Sequence, residues 1–343
     1  KQKRRQKRSI MRKLRILYAG SPLASAMVLQ NLIARGQKNG YEITAVLTNP
    51  PSSRGRHKEL IPTEVARVAE AHGIPVFAFE HLKSEAREAL LPLKCDLLLC
   101  FDYGHIFGVK FLTMFPLGGI NLHPSALPKY RGCTPVPAAI LHGDKELGIS
   151  VQRLALKTDE GDIVAKTSVA LNGTETTQSL MDGDGTHSVV TDAGTNLLDG
   201  VLQAIVSDAD EMCGELPYIS PKGVPQSGEA SYTGFLSKED GRIDWNASAT
   251  EIERKIRAYT PFPLCFTTWN GLNLLILKAT IGAAHTNEQP GTVLPYQKAV
   301  GIEIACGDGS VLVVTELQQQ TKKAMDYKSF INGARAIIGS RLG

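Results

Sequence analysis

Long apolar runs are absent from this sequence of 343 residues. A helix that spans a bilayer needs about 20 mainly apolar residues in succession, so the sequence offers no candidate for one. The basic N terminus is not followed by the apolar segment of a secretory signal. With 43% hydrophobic and 21% charged residues, the composition is typical of a soluble globular protein, and the length predicts two domains.

Two common site signatures are missing as well. The first predicted strand, Leu14–Tyr18, continues into Ala19-Gly-Ser-Pro22 rather than G-x-G-x-x-G, so a dinucleotide cofactor gains no support. In that turn, Ser21 is predicted to cap the following helix. The six cysteines are scattered without the paired spacing of a zinc site, which favours free thiols in a reducing compartment. Cys133 is interpreted as a small buried thiol, and no metal is predicted.

Positive charge is concentrated at the N terminus. Eight of the 38 Lys and Arg residues lie within residues 1–13, so the other 30 face all 34 acidic residues. We interpret residues 1–10 as a disordered basic extension, with Met11 as a candidate start. Residues 206–343 contain 13 basic and 15 acidic residues. Any contact of this region with RNA would therefore be a local stripe near its end.

The hydrophobic pattern predicts an α/β domain followed by a β domain. Strands alternate with helices over residues 11–206, which indicates a parallel sheet of the Rossmann type. Helices are predicted at Phe107–Phe115 and Ala193–Val206. Residues 207–235 are rich in Pro and Gly and read as a linker. Residues 236–343 contain short strands at roughly ten-residue spacing, including Gly291–Leu294, which predicts a small barrel of the oligonucleotide-binding (OB) type.

The segment Gly118–Gly132 carries the clearest chemistry. A short predicted strand ends near Leu122, so Asn121 and His123, two residues apart, project from one face at the carboxyl edge of the sheet. An amide donor beside an imidazole suits a reaction in which a carbonyl oxygen gains negative charge. Asp159 lies in a predicted hairpin loop, from which a carboxylate could reach His123. Asp159-Glu-Gly161 is also compatible with a plain turn.

A basic loop, Asn49–Lys58, follows the second predicted strand. It is built of helix- and strand-breaking residues and cations. Such a segment is compatible with a solvated connection and with a flexible finger that contacts phosphates, and we favour the second interpretation.

These residues also resemble a known family. Asn121-Leu-His-Pro-Ser-Ala-Leu-Pro-Lys-Tyr-Arg-Gly132 resembles the signature Asn-Leu-His-Pro-Ser-x-Leu-Pro-x-Tyr-Arg-Gly of the folate-dependent formyltransferases. Thr158–Asp162 is similar to that family's Leu-Asp-Thr-Gly-Asp, and alignment on Gly161-Asp162 matches the family's Asp to Asp159. Gly55–Pro62 resembles the basic insertion of the members that formylate methionyl-tRNA. The resemblance extends from Met11 through both predicted domains.

The resemblance implies a function and a set of site residues. It implies transfer of the formyl group of 10-formyltetrahydrofolate to the amine of initiator methionyl-tRNA, without a metal, by a monomeric cytoplasmic protein of bacterial type. The implied residues are Asn121, His123 and Asp159 for catalysis; Ser125, Leu127, Pro128, Tyr103 and Gly104 for folate binding; and Arg54, Arg56, Lys58, Lys322 and Lys323 for tRNA binding.

Three other functions stay open. A formyltransferase acting on glycinamide ribonucleotide or on an amino-sugar nucleotide would share the Asn121, His123 and Asp159 site, although the predicted barrel and the Arg56 loop argue against it. A hydrolase of 10-formyltetrahydrofolate would use water in place of the amine. A non-enzymatic RNA-binding protein could retain the same fold, and the substituted neighbours Ala126 and Glu160 leave room for that alternative.

Overall fold

A computed structural model describes residues 13–54, 59–211, 222–298 and 300–343. The described residues fall into two compact units. Unit 1 contains the described residues up to Cys133 together with Glu146–Val169 and those of Met181–Tyr232. Unit 2 contains Thr134–Lys145, Ala170–Leu180 and those of Thr233–Gly343. The predicted extension, residues 1–10, lies outside the described residues, as does the 212–221 part of the predicted linker.

The secondary-structure elements are numbered in chain order. The strands are β1 (Leu14–Ala19), β2 (Tyr41–Thr48), β3 (Ser52–Arg54), β4 (Glu59–Ile61), β5 (Val76–Ala78), β6 (Leu97–Cys100), β7 (Gly119–His123), β8 (Arg131–Gly132), β9 (Glu146–Arg153), β10 (Ile163–Ala170), β11 (Tyr232–Thr233), β12 (Cys265–Trp269), β13 (Leu272–Ile281), β14 (Ile302–Ala305), β15 (Val311–Gln319) and β16 (Met325–Asp326). The α-helices are α1 (Leu23–Asn39), α2 (Glu64–Ala71), α3 (Ser84–Leu90), α4 (Val109–Leu112), α5 (Pro135–His142), α6 (Thr177–Met181), α7 (Val189–Glu211), α8 (Ala249–Ala258) and α9 (Tyr327–Gly333). Short 3₁₀ turns occupy Leu91–Leu93, Glu239–Gly241 and Arg335–Ile337.

Unit 1 is built on a seven-stranded sheet with the order β10-β9-β7-β6-β1-β2-β5. The five strands from β7 to β5 are parallel to their neighbours, and β9 is antiparallel to β7. The chain moves from β1 to β2 and β5 on one side, and through β6 to β7 on the other. The strand order therefore reverses between β1 and β6, and ligands of open α/β sheets bind beyond the carboxyl ends of the strands at such a point. The predicted parallel-sheet domain is confirmed.

Strands β9 and β10 form the hairpin that carries Asp159. The Arg153 N–H donates to the Asp162 carbonyl over 2.9 Å at one end of the pair, and the Leu171 N–H donates to the Lys145 carbonyl over 2.9 Å at the other. These two bonds fix an antiparallel arrangement, as the sequence predicts. The hairpin loop is thus held at both of its strands.

Several helix ends differ from the predictions. Helix α1 begins after Pro22, and no side chain caps it, so the predicted cap at Ser21 is wrong. The Ser21 hydroxyl instead accepts a hydrogen bond from the Asn49 N–H at 3.1 Å, beyond the end of β2. Helix α7 begins four residues earlier than predicted because Ser188 caps it, its hydroxyl accepting the Thr191 N–H at 3.1 Å.

The predicted helix Phe107–Phe115 is helical only over α4. Its aromatic rings nevertheless point into the core, with centroids 5.3 Å apart for Phe107 and Phe111 and 5.9 Å apart for Phe111 and Phe115. They pack with Leu17 and Leu98, which are almost fully buried. The spacing of the apolar residues therefore predicts correctly which side chains are buried, although only four residues of the segment are helical.

Unit 2 contains a five-stranded antiparallel sheet with the path β12-β13-β15-β14 and β16 paired to β15. The predicted strand Gly291–Leu294 is reduced to isolated bridges at Thr292 and Val293. Pro290 and Pro295 flank it, and proline cannot donate to a ladder. Among the described residues the path stays open between β12 and β14, so the sheet agrees with the predicted β domain, but it does not close into the predicted OB-type barrel there. None of the described helices combines the length and the apolar character needed to cross a bilayer.

Candidate active site

Asn121 and His123 lie at the carboxyl end of β7, beside the point where the strand order reverses. Every residue of β7 is buried, because the strand is paired with β6 on one side and β9 on the other. Asn121 is 9% exposed and His123 is 5% exposed. Residues two apart on a strand share a face, so the amide and the imidazole face the same region, as predicted.

The orientation of the His123 ring is set by a backbone carbonyl. Its Nε2 lies 2.9 Å from the carbonyl oxygen of Tyr130. Because a carbonyl oxygen only accepts, Nε2 must carry the proton in this contact. The other ring nitrogen, Nδ1, lies 3.7 Å from Oδ2 of Asp159. Nδ1 is therefore the ring atom that faces the carboxylate.

Asp159 is held in place by two donors within unit 1. Its Oδ2 accepts the Gly132 N–H at 2.8 Å, and its Oδ1 accepts an Nε2 proton of Gln152 at 2.6 Å. The side chain is 12% exposed. Its backbone has a φ of 54°, in the left-handed region that L residues adopt only when the surroundings hold them there. The structure thus brings the three predicted catalytic residues to one edge of the sheet.

The Asn121 side chain makes no hydrogen bond to any other described residue, and its amide retains some access to solvent. A buried amide is normally paired. An unbonded amide donor next to a fixed imidazole is suited to receive the oxygen of a carbonyl group as it gains negative charge. The carboxylate 3.7 Å from Nδ1 is suited to stabilise a positive charge on the ring.

Two residues that support the site, Gln152 and Gln226, are not among the predicted ones. Gln152 lies on β9 opposite Asn121 and is 2% exposed. Its Nε2 holds Asp159, as described above, and Gln226 contacts the backbone of the Asp159 loop. A signal for Gln152 does exist in the sequence. Ser150 and Gln152 are polar residues that alternate with the apolar Ile149 and Val151 in β9, and such positions share one face.

The residues predicted to bind folate lie at the same sheet edge. Ser125 and Leu127 are almost fully buried, and the Ser125 hydroxyl already donates to the Lys129 carbonyl at 2.6 Å. Tyr103 follows β6 and is 2% exposed, and its hydroxyl has no hydrogen-bond partner among the described residues. The remaining two predicted residues are the buried Pro128 and the exposed Gly104, which has a φ of 82°.

Asp102 and Cys133 are two further reactive side chains near these strands. Burial of the Asp102 carboxyl, with a smaller contribution from the charge of Asp182, raises its pKa to about 6. Water still reaches the residue. Cys133 is exposed, so its predicted burial is wrong: the chain turns there from β8 into α5 at the surface. Within the described part of the chain, no group of three or more His, Cys, Asp and Glu side chains is arranged to hold a metal ion.

The residues predicted to contact tRNA are described only in part. Arg54 is the last residue of β3, where it pairs with Glu59 in a short hairpin. Arg56 and Lys58 lie outside the described residues. Lys322 and Lys323 are exposed in the turn between β15 and β16, and the turn is closed by the Gln318 side chain, which donates to the Lys322 carbonyl at 2.7 Å.

Solved structures share this fold. The sugar 3N-formyl transferase WlaRD superposes with a TM-score of 0.59 at 18% identity, over 92% of this chain and 100% of that one. HypX from Aquifex aeolicus in complex with tetrahydrofolic acid gives a TM-score of 0.57 at 18% identity, over 92% of this chain. The chain spans 46% of that larger protein. At these identities, the likeness concerns the fold.

Sequence relatives are closer and extend over both units. Methionyl-tRNA formyltransferase of Treponema denticola is 40% identical over 334 residues, which cover 94% of this chain and 97% of that protein. The Bacillus subtilis protein of the same name is 34% identical over 330 residues, covering 96% and 98%. Residues 12–189 match the formyl transferase family, and residues 236–335 match the formyl transferase C-terminal domain. With both domains matched and relatives of this identity along nearly its whole length, the chain belongs to the formyl transferase family.

Proposed function

We propose that this protein transfers the formyl group of 10-formyltetrahydrofolate to the α-amino group of initiator methionyl-tRNA, for translation initiation. The observation that carries the proposal is the grouping of Asn121, His123 and Asp159 at the sheet edge, with Nδ1 and the carboxylate 3.7 Å apart. The similarity to methionyl-tRNA formyltransferases over both domains supports the choice of substrate. The products would be formylmethionyl-tRNA and tetrahydrofolate.

The side chains divide the chemistry between them. The folate supplies the formyl group, bonded to its N10. The Asn121 amide would donate to the formyl oxygen while the amine attacks the formyl carbon and the bond to N10 breaks. The His123 ring, whose Nε2 proton is on the Tyr130 carbonyl and whose Nδ1 faces Asp159, would stabilise the negative charge of that oxygen through the positive charge of its protonated form. Asp159 would orient the ring and, directly or through water, take the proton that the amine loses. N10 takes up a proton in return, so charge and protons balance.

The residues at the sheet edge fit a folate. The Asn121 amide and the Tyr103 hydroxyl lack hydrogen-bond partners among the described residues, and a pterin ring presents several donors and acceptors that such groups recognise. Ser125, Leu127, Pro128 and Gly104 belong to the loops at the same edge. We propose that these loops form the wall of the folate site.

Contacts with the tRNA would come from basic side chains outside the chemical centre. Arg54, Arg56 and Lys58 belong to the segment that follows β2. Strand β2 is part of the same seven-stranded sheet as β7. Lys322 and Lys323 are exposed near the end of the chain. Phosphate contacts by Lys and Arg give affinity that falls with salt, so tRNA affinity should weaken moderately as the salt concentration rises.

The division of labour along the chain remains part of the proposal. Residues 11–206 would be catalytic, residues 207–235 would link the domains, and residues 236–343 would bind tRNA, with residues 1–10 as a basic extension. A monomeric state and a cytoplasmic location, where initiator tRNA is charged, complete it.

The proposal is tested by following labelled formyl from 10-formyltetrahydrofolate to charged initiator tRNA. We expect the wild type to transfer formyl. Asn121→Ala should lower kcat by about 100-fold or more, which is the cost of one oxyanion donor. His123→Ala should lower kcat on the same scale, because the positive charge beside the developing oxyanion is lost. Arg56→Ala should mainly raise the KM for tRNA. His81→Ala is the matched control, because His81 is exposed and lies outside the site.

Different outcomes separate the alternatives. Folate-dependent formylation of glycinamide ribonucleotide or of an amino-sugar nucleotide, with none of tRNA, would keep the site and replace the substrate. Release of formate without an amine acceptor would indicate a hydrolase. Binding of tRNA without any turnover of the folate would leave a binding protein. An unchanged kcat in both site variants would refute the assignment of Asn121 and His123.

A further inference from the structure

Gln226 belongs to a segment that matches neither formyl transferase domain, since the matches end at residue 189 and resume at residue 236. The sequence suggests a linker here. Residues 222–232 of this segment nevertheless belong to unit 1. Val224 and Ile163 exchange two backbone hydrogen bonds of 2.8 Å, and the Arg131 N–H donates to the Ser231 carbonyl at 2.9 Å. Gln226 is therefore anchored on both sides.

Both polar atoms of the Gln226 amide, Nε2 and Oε1, are hydrogen-bonded. Its Nε2 donates to the carbonyls of Asp159 and Gly161, at 2.8 Å in each case. Its Oε1 accepts from Arg131, at 3.1 Å from Nε and 2.8 Å from Nη2. A guanidinium only donates and a carbonyl only accepts, so the direction of the amide is fixed without ambiguity.

These bonds hold the backbone around Asp159. The φ of Asp159 is 54°, which its surroundings must stabilise. The two carbonyls that Gln226 holds lie on either side of Glu160, so they define the path of the loop. Arg131 is fixed in turn by the Tyr232 hydroxyl at 2.8 Å. Gln226 and Arg131 thus orient the Asp159 carboxylate by fixing the backbone that carries it.

We infer that Gln226 is a positioning residue for formyl transfer, which holds the Asp159 loop so that the carboxylate stays opposite His123. The inference rests on the proposed function, because the rate depends on Gln226 only if Asp159 takes part in the reaction. Gln226 touches no reacting atom. It acts through the backbone of Asp159, from outside the part of the chain that the catalytic domain match covers.

Gln226→Glu tests this with almost no change in size. The carboxylate still pairs with Arg131, but it presents an oxygen instead of two N–H groups to the two loop carbonyls. We expect kcat to fall by about 10- to 100-fold, the scale of a catalytic group displaced by roughly 1 Å, while KM for both substrates changes by less than about threefold. Glu229→Gln, an exposed change of one charge in the same segment, is the control and should leave kcat unaltered.

A double-mutant cycle separates positioning from general structural damage. If Gln226 acts through Asp159, Gln226→Glu should cost less than about threefold in an Asp159→Asn background, because coupled residues are not additive. An equal loss in both backgrounds would overturn the inference. So would a kcat of Gln226→Glu within about twofold of the wild type.

Hydrogen–deuterium exchange of the 157–162 loop is a readout that needs no turnover. We expect faster exchange in Gln226→Glu than in Glu229→Gln, because two backbone contacts of the loop are lost. If the wild type transfers no formyl while exchange still rises in Gln226→Glu, the role of Gln226 in holding the Asp159 loop is supported and the proposed function fails. Unchanged exchange in Gln226→Glu would overturn the inference that Gln226 holds the loop, whatever the activity.

Discussion

Replacing Gln152 with methionine removes the side-chain donor of Asp159 and keeps the shape of the site. In the wild type, Gln152 Nε2 donates to Asp159 Oδ1 at 2.6 Å, and Gln152 is 2% exposed. Methionine fills nearly the same space but cannot donate. Asp159 keeps only the Gly132 N–H on its other oxygen, at 2.8 Å. Oδ2, which faces His123 Nδ1, then stays bonded to Gly132, but the carboxylate loses the contact at Oδ1 that fixes its rotation.

The size of the effect follows from these contacts. A hydrogen bond to a charged acceptor contributes about 1.5–3 kcal/mol, and losing it inside the protein leaves the acceptor without a partner. Burying the methionine side chain offsets a part of this loss. The Oε1 of Gln152 adds little to the sum, because its nearest donor, Gln226 Nε2, lies 3.5 Å away. We therefore expect Gln152→Met to lower the free energy of unfolding by about 1–3 kcal/mol.

Two measurements check this expectation. Urea unfolding gives the change in stability, and formyl transfer to charged tRNA gives kcat, which should fall by about tenfold or more as the carboxylate loses its orientation. The matched control is Gln203→Met. Gln203 makes the same kind of bond, from its Nε2 to Asp199 Oδ2 at 3.0 Å. Gln203 is exposed, however, so its loss should cost no more than about 0.5 kcal/mol.

Either of two results would contradict this expectation. If Gln152→Met and Gln203→Met had equal, small effects on stability, burial would not be strengthening the Asp159 bond. If kcat of Gln152→Met were unaltered in a folded protein, the orientation of the carboxylate would not matter to the reaction.

Three further predictions concern stability and pH. Tyr41→Phe should lower the free energy of unfolding by about 1–2 kcal/mol in urea titrations without lowering kcat, because the buried hydroxyl donates to Asp199 at 2.8 Å; a change below about 0.5 kcal/mol would contradict this. Asp102→Asn should raise Tm, because the carboxyl pKa of about 6 in the fold exceeds its ordinary 3.8, so ionisation destabilises the folded state as pH rises through this window. The gain should be complete above about pH 6 and shrink towards pH 4, and an equal gain at both ends would exclude this cause. Gly161→Ala should abolish formyl transfer and lower Tm, since a Cβ there would lie 1.8 Å from a backbone oxygen of β9; wild-type values of both would show that the hairpin can shift.

Local patterns in the sequence are enough to predict much of the fold. Alternating strands and helices predicted the parallel sheet, and the spacing of Asn121 and His123 on a short strand predicted their common face. Such patterns depend on neighbours within one element, where geometry repeats every two or 3.6 residues. Local patterns predict the ends of helices less well. Ser21 does not cap α1, because its hydroxyl is hydrogen-bonded to the Asn49 N–H, 28 residues away beyond the end of β2.

Sequence alone determined which strand ends hold the polar side chains, and the motif around Asn121 and His123 indicated their chemistry. Only the tertiary structure decided how the carboxylate is held. Gln152 and Gln226 are separated by 74 residues, yet both are hydrogen-bonded to Asp159. The period of two along β9 places Gln152 on one face of its strand, but no local pattern marks Gln226 or links either residue to Asp159, because their roles come from strand pairing and from the path of a distant segment. The direction of a side chain on a strand is a local property, whereas the support behind a catalytic group comes from distant parts of the chain.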